Sequence, residues 1–279
     1  MKKDIHFYST IIVRLLFFMI VFVQMLNAQD NPIKFSLGEY NFKAMFDTSS
    51  FISAFTVNKK GDNIYSAIFN GRITEIKADN LNKDGQTDIF IDNFSGGAHC
   101  CLTLYVGYIM NGSFVMSDSL FLINSNYEIK DLNDDNMREI TAFNDTFAYA
   151  FTNYAQSRFS PIVYTVENNK FVDVTRNFPY IINASITELK SELKAYTNPG
   201  FKCPDFDTSE TFNTDAGAVK ALLAPIVTDY YNLGEVQKGY DFVDSVYKCP
   251  DTDKFISDLT KRLQAKIIIN GYSIKNFKI

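Results

Sequence analysis

Two short stretches carry oxygen side chains at a spacing that could hold a cation. The first is Asn80-Leu81-Asn82-Lys83-Asp84-Gly85-Gln86-Thr87-Asp88. The second, Asp131-Leu132-Asn133-Asp134-Asp135-Asn136-Met137-Arg138-Glu139, begins 51 residues later. Side-chain oxygens at alternate positions (Asn80, Asn82 and Asp84; Asp131, Asn133 and Asp135) can converge on one hard ion. The backbone carbonyl of Gln86 or Met137 and the carboxylate of Asp88 or Glu139 can complete the shell. Calcium is therefore the expected cofactor. Neither loop is an EF-hand: a strand signal follows directly, and the bidentate Glu is replaced by Ile91 in one copy and Ala142 in the other. The first loop carries only Asp84 and Asp88 as acids, the second Asp131, Asp135 and Glu139. That charge suits weak binding, in the extracellular range of about 10⁻⁴ to 10⁻³ M. The alternative is a pair of Asx-turns that need no ion.

The other chemical cluster is Ser95-Gly96-Gly97-Ala98-His99-Cys100-Cys101, with the one histidine outside the N-terminal segment. Zinc would need roughly three or four ligands, and three consecutive residues do not readily converge on one ion. A Cys–His nucleophile needs a free thiol facing its base, whereas neighbours on a strand point apart. The reading left is a structural corner: Gly96 and Gly97 permit tight backbone, a Cys100–Cys101 disulfide locks it, and His99 caps a carbonyl or carboxylate. Four cysteines allow three pairings. Cys203 and Cys249 share the setting Lys-Cys-Pro-Asp, so we expect Cys203–Cys249, with Cys100–Cys101 as the vicinal pair.

The elements that must position these residues divide into two regions. Residues 29–176 read as β. Short runs rich in Ile, Val, Phe, Tyr and Thr alternate with turns, at 33–37, 51–57, 64–69, 72–77, 87–94, 102–110, 114–122, 139–143 and 161–166. Lys60-Gly61-Asp62-Asn63, Asn70-Gly71 and Asn111-Gly112 predict hairpins. Residues 177–279 read as helical. Ser185 to Glu188 predicts a capping box, followed by a face of Ile186, Leu189, Leu193 and Tyr196. A second stripe runs through Val219, Leu222, Leu223, Ile226, Val227, Tyr230 and Tyr231, with a kink or break at Pro225. A third helix is expected from Asp251, turning Phe255, Ile256, Leu259 and Leu263 inward, and 201–215 reads as a polar loop.

The loop-plus-strand unit resembles the calcium loops of FG-GAP and VCBS-type repeats. The chain as a whole resembles a group of exported bacterial proteins with no established activity. The matching segments are Asn80–Asp88, Gly96–Cys101, Asp131–Glu139, Phe147–Phe151, Ser157–Pro161, Phe171–Arg176 and Asp229–Gly234. Asn80 and Asn136 depart from that pattern, which has Asp and Gly there. The resemblance implies blade-like units of about 40–50 residues. The β region holds at most three of them, whereas a closed propeller needs about four. The expected class is α+β: an antiparallel β domain of blade-like units, as an incomplete propeller or compact sheet domain, followed by a C-terminal helical region.

The N-terminus, with Lys2 and Lys3, an apolar run over 15–23 and a small residue at Ala28, predicts a secretory signal peptide over 1–28. Removing it leaves no stable membrane span and a protein that is periplasmic or extracellular, where disulfides persist. The net charge of −5, with no basic block, excludes nucleic acid as a partner class. Phe (26) and Tyr (16) are abundant but Trp is absent, which favours core packing over sugar stacking. The expectation is a non-catalytic, calcium-binding structural or interaction module of the envelope that binds a protein or glycan. The alternative is a calcium-dependent envelope hydrolase using the loop carboxylates and His99.

Overall fold

The computed structural model describes residues 31–81, 85–97, 101–198, 201–204 and 211–269, with side chains to 264. The protein is α+β, with its helices gathered toward the C-terminus. The strands are β1 (Ile33–Leu37), β2 (Tyr40–Asp47), β3 (Ile52–Lys59), β4 (Asp62–Asn70), β5 (Arg72–Asp79) and β6 (Asp88–Phe94). They continue with β7 (Leu102–Met110), β8 (Ser113–Ile123), β9 (Glu128–Lys130), β10 (Glu139–Asn144), β11 (Ser160–Glu167) and β12 (Lys170–Asp173). The helices are α1 (Pro179–Thr197), α2 (Asp215–Asn232), α3 (Val236–Val246) and α4 (Thr252–Ile269).

Three four-stranded antiparallel sheets each keep their strands in sequence order: β1-β2-β3-β4, β5-β6-β7-β8 and β9-β10-β11-β12. Each is a meander, the layout that consecutive short connections favour. The chain forms two compact units. The first holds the described residues up to Lys77 together with Ile91–Ser95; the second holds Ala78–Phe90 and the residues from Gly96 on. Strand β6 thus changes unit between Phe90 and Ile91.

In the first unit, alternation decides which face is buried. Phe42 and Ala44 of β2 lie opposite Val57 and Phe55 of β3 and are buried with them, as is Phe69 of β4. Phe55 meets Phe69 edge to face, with ring centroids 5.9 Å apart. The turns follow from residues that accept positive φ. Lys60-Gly61 closes β3 on β4 and Asn111-Gly112 closes β7 on β8. Asn70-Gly71 is not a hairpin: it carries the chain from β4 into β5, which belongs to another sheet. Gly71 takes φ +106°, and a Cβ there would stand 2.5 Å from the Phe94 carbonyl oxygen, so the glycine serves a corner and a close approach. Strands β2, β9 and β12 were not among the predicted runs.

Two cores are seen among the described residues of the second unit. Leu81, Phe90, Leu104, Val106, Leu122, Ile140 and Val166 form one among the strands. The other joins Phe147 and Phe151 to Leu189, Leu193, Val219, Leu223, Val227, Phe255 and Leu259 of the helices. Helix α2 is buried from Ala216 through Asp229, so it is wrapped rather than surface-lying. It runs unbroken through Pro225, contrary to a break there. The lost backbone bond is outweighed by apolar burial on all sides, and Ser160 Oγ donates to the Pro225 carbonyl at 3.1 Å. Ser185 is not an N-cap. Helix α1 starts six residues earlier, with Pro179 in its first turn, where proline's missing N–H costs nothing. Helix α3 was not predicted.

Candidate functional site

Both acidic loops occupy the same place in their meanders. The first joins β5 to β6, and the second joins β9 to β10. They also share local conformation. Leu81 N–H donates to Asp88 Oδ2 at 3.3 Å, and Leu132 N–H donates to Glu139 Oε2 at 3.0 Å. Gly85 (φ +77°) and Asn136 (φ +63°) are left-handed at equivalent positions. Asp88 and Glu139 are 1% and 4% exposed, and each is followed by a fully buried isoleucine, Ile89 or Ile140. The apolar residue that starts the next strand pulls the last loop carboxylate inward with it. Asn82 and Asp84 of the first loop lie outside the described residues. Gln86 directs its side-chain amide to the Ile109 carbonyl at 3.3 Å.

The second loop is described in full. Asp131 Oδ1 accepts from the N–H groups of Asn133 and Asp135, each at 3.3 Å, and Oδ2 accepts from Asn136 N–H at 2.8 Å. Desolvation acts upward on this carboxyl, but the ring of N–H donors outweighs it and holds the pKa below the usual range. Asp135 Oδ1 accepts from Met137 N–H at 2.7 Å, and Oδ2 from the Asn133 side-chain amide at 3.0 Å. Glu139 is pushed the other way. Burial raises its pKa first, the Leu132 N–H opposes, and the nearby Asp135 and Asp131 charges raise it further. Arg138 points away from the loop and pairs with Asp79 at 2.7 Å, the residue that leads into the first loop. The two loops are therefore neighbours within one unit, tied by an ion pair. From helix α1, Tyr180 donates its hydroxyl to the Leu132 carbonyl at 2.5 Å.

Among the described residues, no group of three or more His, Cys, Asp or Glu side chains is placed to hold a metal ion. The donor set of the second loop nonetheless has the oxygen chemistry calcium takes: Asp131, Asn133, Asp135 and Glu139 side chains and the Met137 carbonyl. Asp131, Asp135 and Glu139 follow one another along this loop, and Arg138 pairs with Asp79.

At the second cluster, Gly96 and Gly97 take φ +90° and +108°, the tight backbone their sequence implied. Cys101 is buried and disulfide-bonded. His99 and Cys100 lie outside the described residues. Cys203 and Cys249 form a disulfide with Cα atoms 5.3 Å apart.

Sequence reasoning passed over two buried polar groups of α2. Lys220 pairs with Asp251 and donates to Thr211 Oγ1 at 3.0 Å, while Tyr247 donates to Asp251 Oδ1 at 2.9 Å. Asp229 accepts from Ser185 Oγ at 2.6 Å. The signal was present in the sequence, as charged residues inside an otherwise apolar helical run. Compared with family models, with curated proteins and with solved structures, the chain matches none.

Proposed function

We propose that the protein is an exported, non-catalytic, calcium-ordered module of the cell envelope that presents its surface to a protein or glycan partner. The observation that carries the reading is the second loop, where the buried carboxylate of Glu139 stands close to the like charges of Asp131 and Asp135. Burying a carboxylate beside like charges costs free energy, and a divalent cation would remove that cost. The same backbone features in the first loop support a repeated, ion-adapted unit rather than a chance acidic turn. The Cys203–Cys249 disulfide supports an oxidising compartment. Among the described residues no helix is long and apolar enough to cross a membrane. The resemblance to FG-GAP and VCBS-type repeats remains part of this proposal.

Calcium titration by calorimetry, paired with melting curves in calcium and in chelator, tests it. Calcium at about 10 mM should stabilise the protein by about 1–3 kcal/mol if the affinity lies in the extracellular range. Glu139→Gln separates an ion site from a bare turn. It should raise the stability of the calcium-free protein and abolish the calcium response of this loop. A variant that melts lower than the parent in chelator and keeps the full calcium shift would sink the reading.

A further inference from the structure

The aromatic stretch Phe147–Phe151 takes no part in either acidic loop. Phe147 and Phe151 turn into the helical core of the second unit, but Tyr149 between them is 49% exposed. Tyr149 is the outer end of a row of four rings. Its centroid lies 5.5 Å from that of Tyr154, Tyr154 lies 5.7 Å from Phe159, and Phe159 stacks on Phe143 at 4.8 Å. Tyr149 and Tyr154 lean together with their planes 36° apart, which leaves no gap between them for an ammonium group. They make a supported surface rather than a cation cage.

A carboxylate stands beside this row. Burial first, then the Asp145 charge and Tyr149, pushes the Tyr154 phenol above its ordinary pKa, which sets Asp145 close to that ring. Asp145 is half-buried. Its Oδ2 accepts from the Asn124 side-chain amide at 2.8 Å and from the Asn124 N–H at 3.4 Å. Among the described residues no group donates to Oδ1, so that oxygen keeps acceptor capacity for an outside donor. Holding this arrangement is costly. Ile123 and Tyr149 take φ +55° and +56°, left-handed values that a β-branched or bulky residue rarely adopts. Asn124 gives its amide nitrogen to Asp145 while its own buried Oδ1 has no donor. Ser157 fixes Tyr149 in place: its Oγ accepts from the Tyr149 N–H at 3.2 Å and donates to the Asn153 carbonyl at 3.0 Å. Local strain of this kind persists only where the surroundings impose it, and it clusters at ligand clamps.

We propose that this surface binds a neutral, β-linked pyranose chain. A sugar ring with all its substituents equatorial has a flat C–H face, which lies on Tyr149 with Tyr154 behind it. A hydroxyl at the edge of the ring donates to Asp145 Oδ1, a charge-assisted bond. The same carboxylate, on a chain of net charge −5, disfavours an anionic sugar. The inference rests on the partner half of the function proposed above and names that partner as a glycan. It does not need the calcium half, since no residue of this surface belongs to an acidic loop.

The whole purified chain is titrated by calorimetry with cellohexaose (β-linked glucose) and with chitohexaose (β-linked N-acetylglucosamine), in calcium and again in chelator, with choline as the cation control. At least one hexamer should bind in both conditions, and choline should not. A chain that takes a hexamer but no calcium keeps this inference and loses the ion site. One that takes calcium but neither hexamer keeps the ion site and loses this inference. Tyr149→Asn removes the ring and supplies a residue that tolerates the left-handed backbone. It should keep the fold and bind the hexamer at least about tenfold more weakly. Asp145→Asn keeps an oxygen for the Asn124 amide and turns the free acceptor into a donor; it should weaken binding several-fold. If one variant unfolds, the other decides. No heat from either hexamer at about 10 mM, which leaves a protein as the partner, choline bound in place of the hexamers, or unchanged affinity in the folded variants overturns the proposal.

Discussion

At the scale of single residues, the informative groups are the polar ones that burial should have excluded. Asp229 is the sharpest case. It is wholly buried in α2, accepts from Ser185 Oγ through Oδ2, and leaves Oδ1 without a partner. Burial pushes its pKa up to about 7, against the smaller opposing effect of the Ser185 and Ser160 hydroxyls. The native state then holds a proton that the unfolded chain releases near pH 4. Its contribution is fully present below about pH 4, falls as pH rises toward 7, and is flat above that. Asp229→Asn keeps the shape and removes the titration. It should stabilise the protein at pH 8 by roughly 2–4 kcal/mol and flatten the decline between about pH 4 and 7. Urea melts at pH 5 and pH 8 measure this; a variant weaker than the parent at both would show that the carboxylate is held charged. Glu139 has the same sign of shift, and in the function proposed above a cation takes the place of the proton.

At the scale of elements, the strands were legible where alternation was strong and a turn residue marked the end. Val57 and Phe55 of β3 lie inward as their period requires. Strand β2 was missed although Phe42, Ala44 and Phe46 alternate with Asn41, Lys43 and Asp47, and β9 was missed because three residues carry no period. The Asn168-Asn169 turn between β11 and β12 places both asparagines at positive φ, +50° and +59°. The capping box at Ser185 failed because a local motif lost to helix extension from Pro179. Of the candidate sites, the acidic loops were legible because their oxygens are close in sequence. The Tyr149 surface was not, since Asn124 and Asp145 stand 21 residues apart and only packing joins them. Gly71 tests the reading of turns as corners. Gly71→Ala must hold φ near +106° and meet the Phe94 carbonyl. It should therefore cost more than the 1 kcal/mol or so of an ordinary glycine replacement. Gly61→Ala, with open space around its Cβ, should cost less in the same denaturant series; the reverse ranking would refute a tight corner at Gly71.

At the scale of the whole molecule, two compact units imply two sources of cohesion. The first is held by its sheets and a phenylalanine cluster and contains no described cysteine. The second carries the Cys203–Cys249 bridge, across a separation of 46 residues that spans all of α2 and all of α3. Cys249 lies buried beside Tyr247 in the helical core, so the bridge anchors the segment that leads into Asp251 and α4. Closing a loop of that length should stabilise the folded state by about 4 kcal/mol through the unfolded chain's lost freedom. The double variant Cys203→Ser, Cys249→Ser should lower the melting of the second unit by that order and leave the first unit's transition in place. Scanning calorimetry resolves the two, with ring-current-shifted signals of the Phe55 and Phe69 cluster as the marker of the first unit. If both transitions fall together, the units unfold as one cooperative body and the bridge stabilises the entire chain.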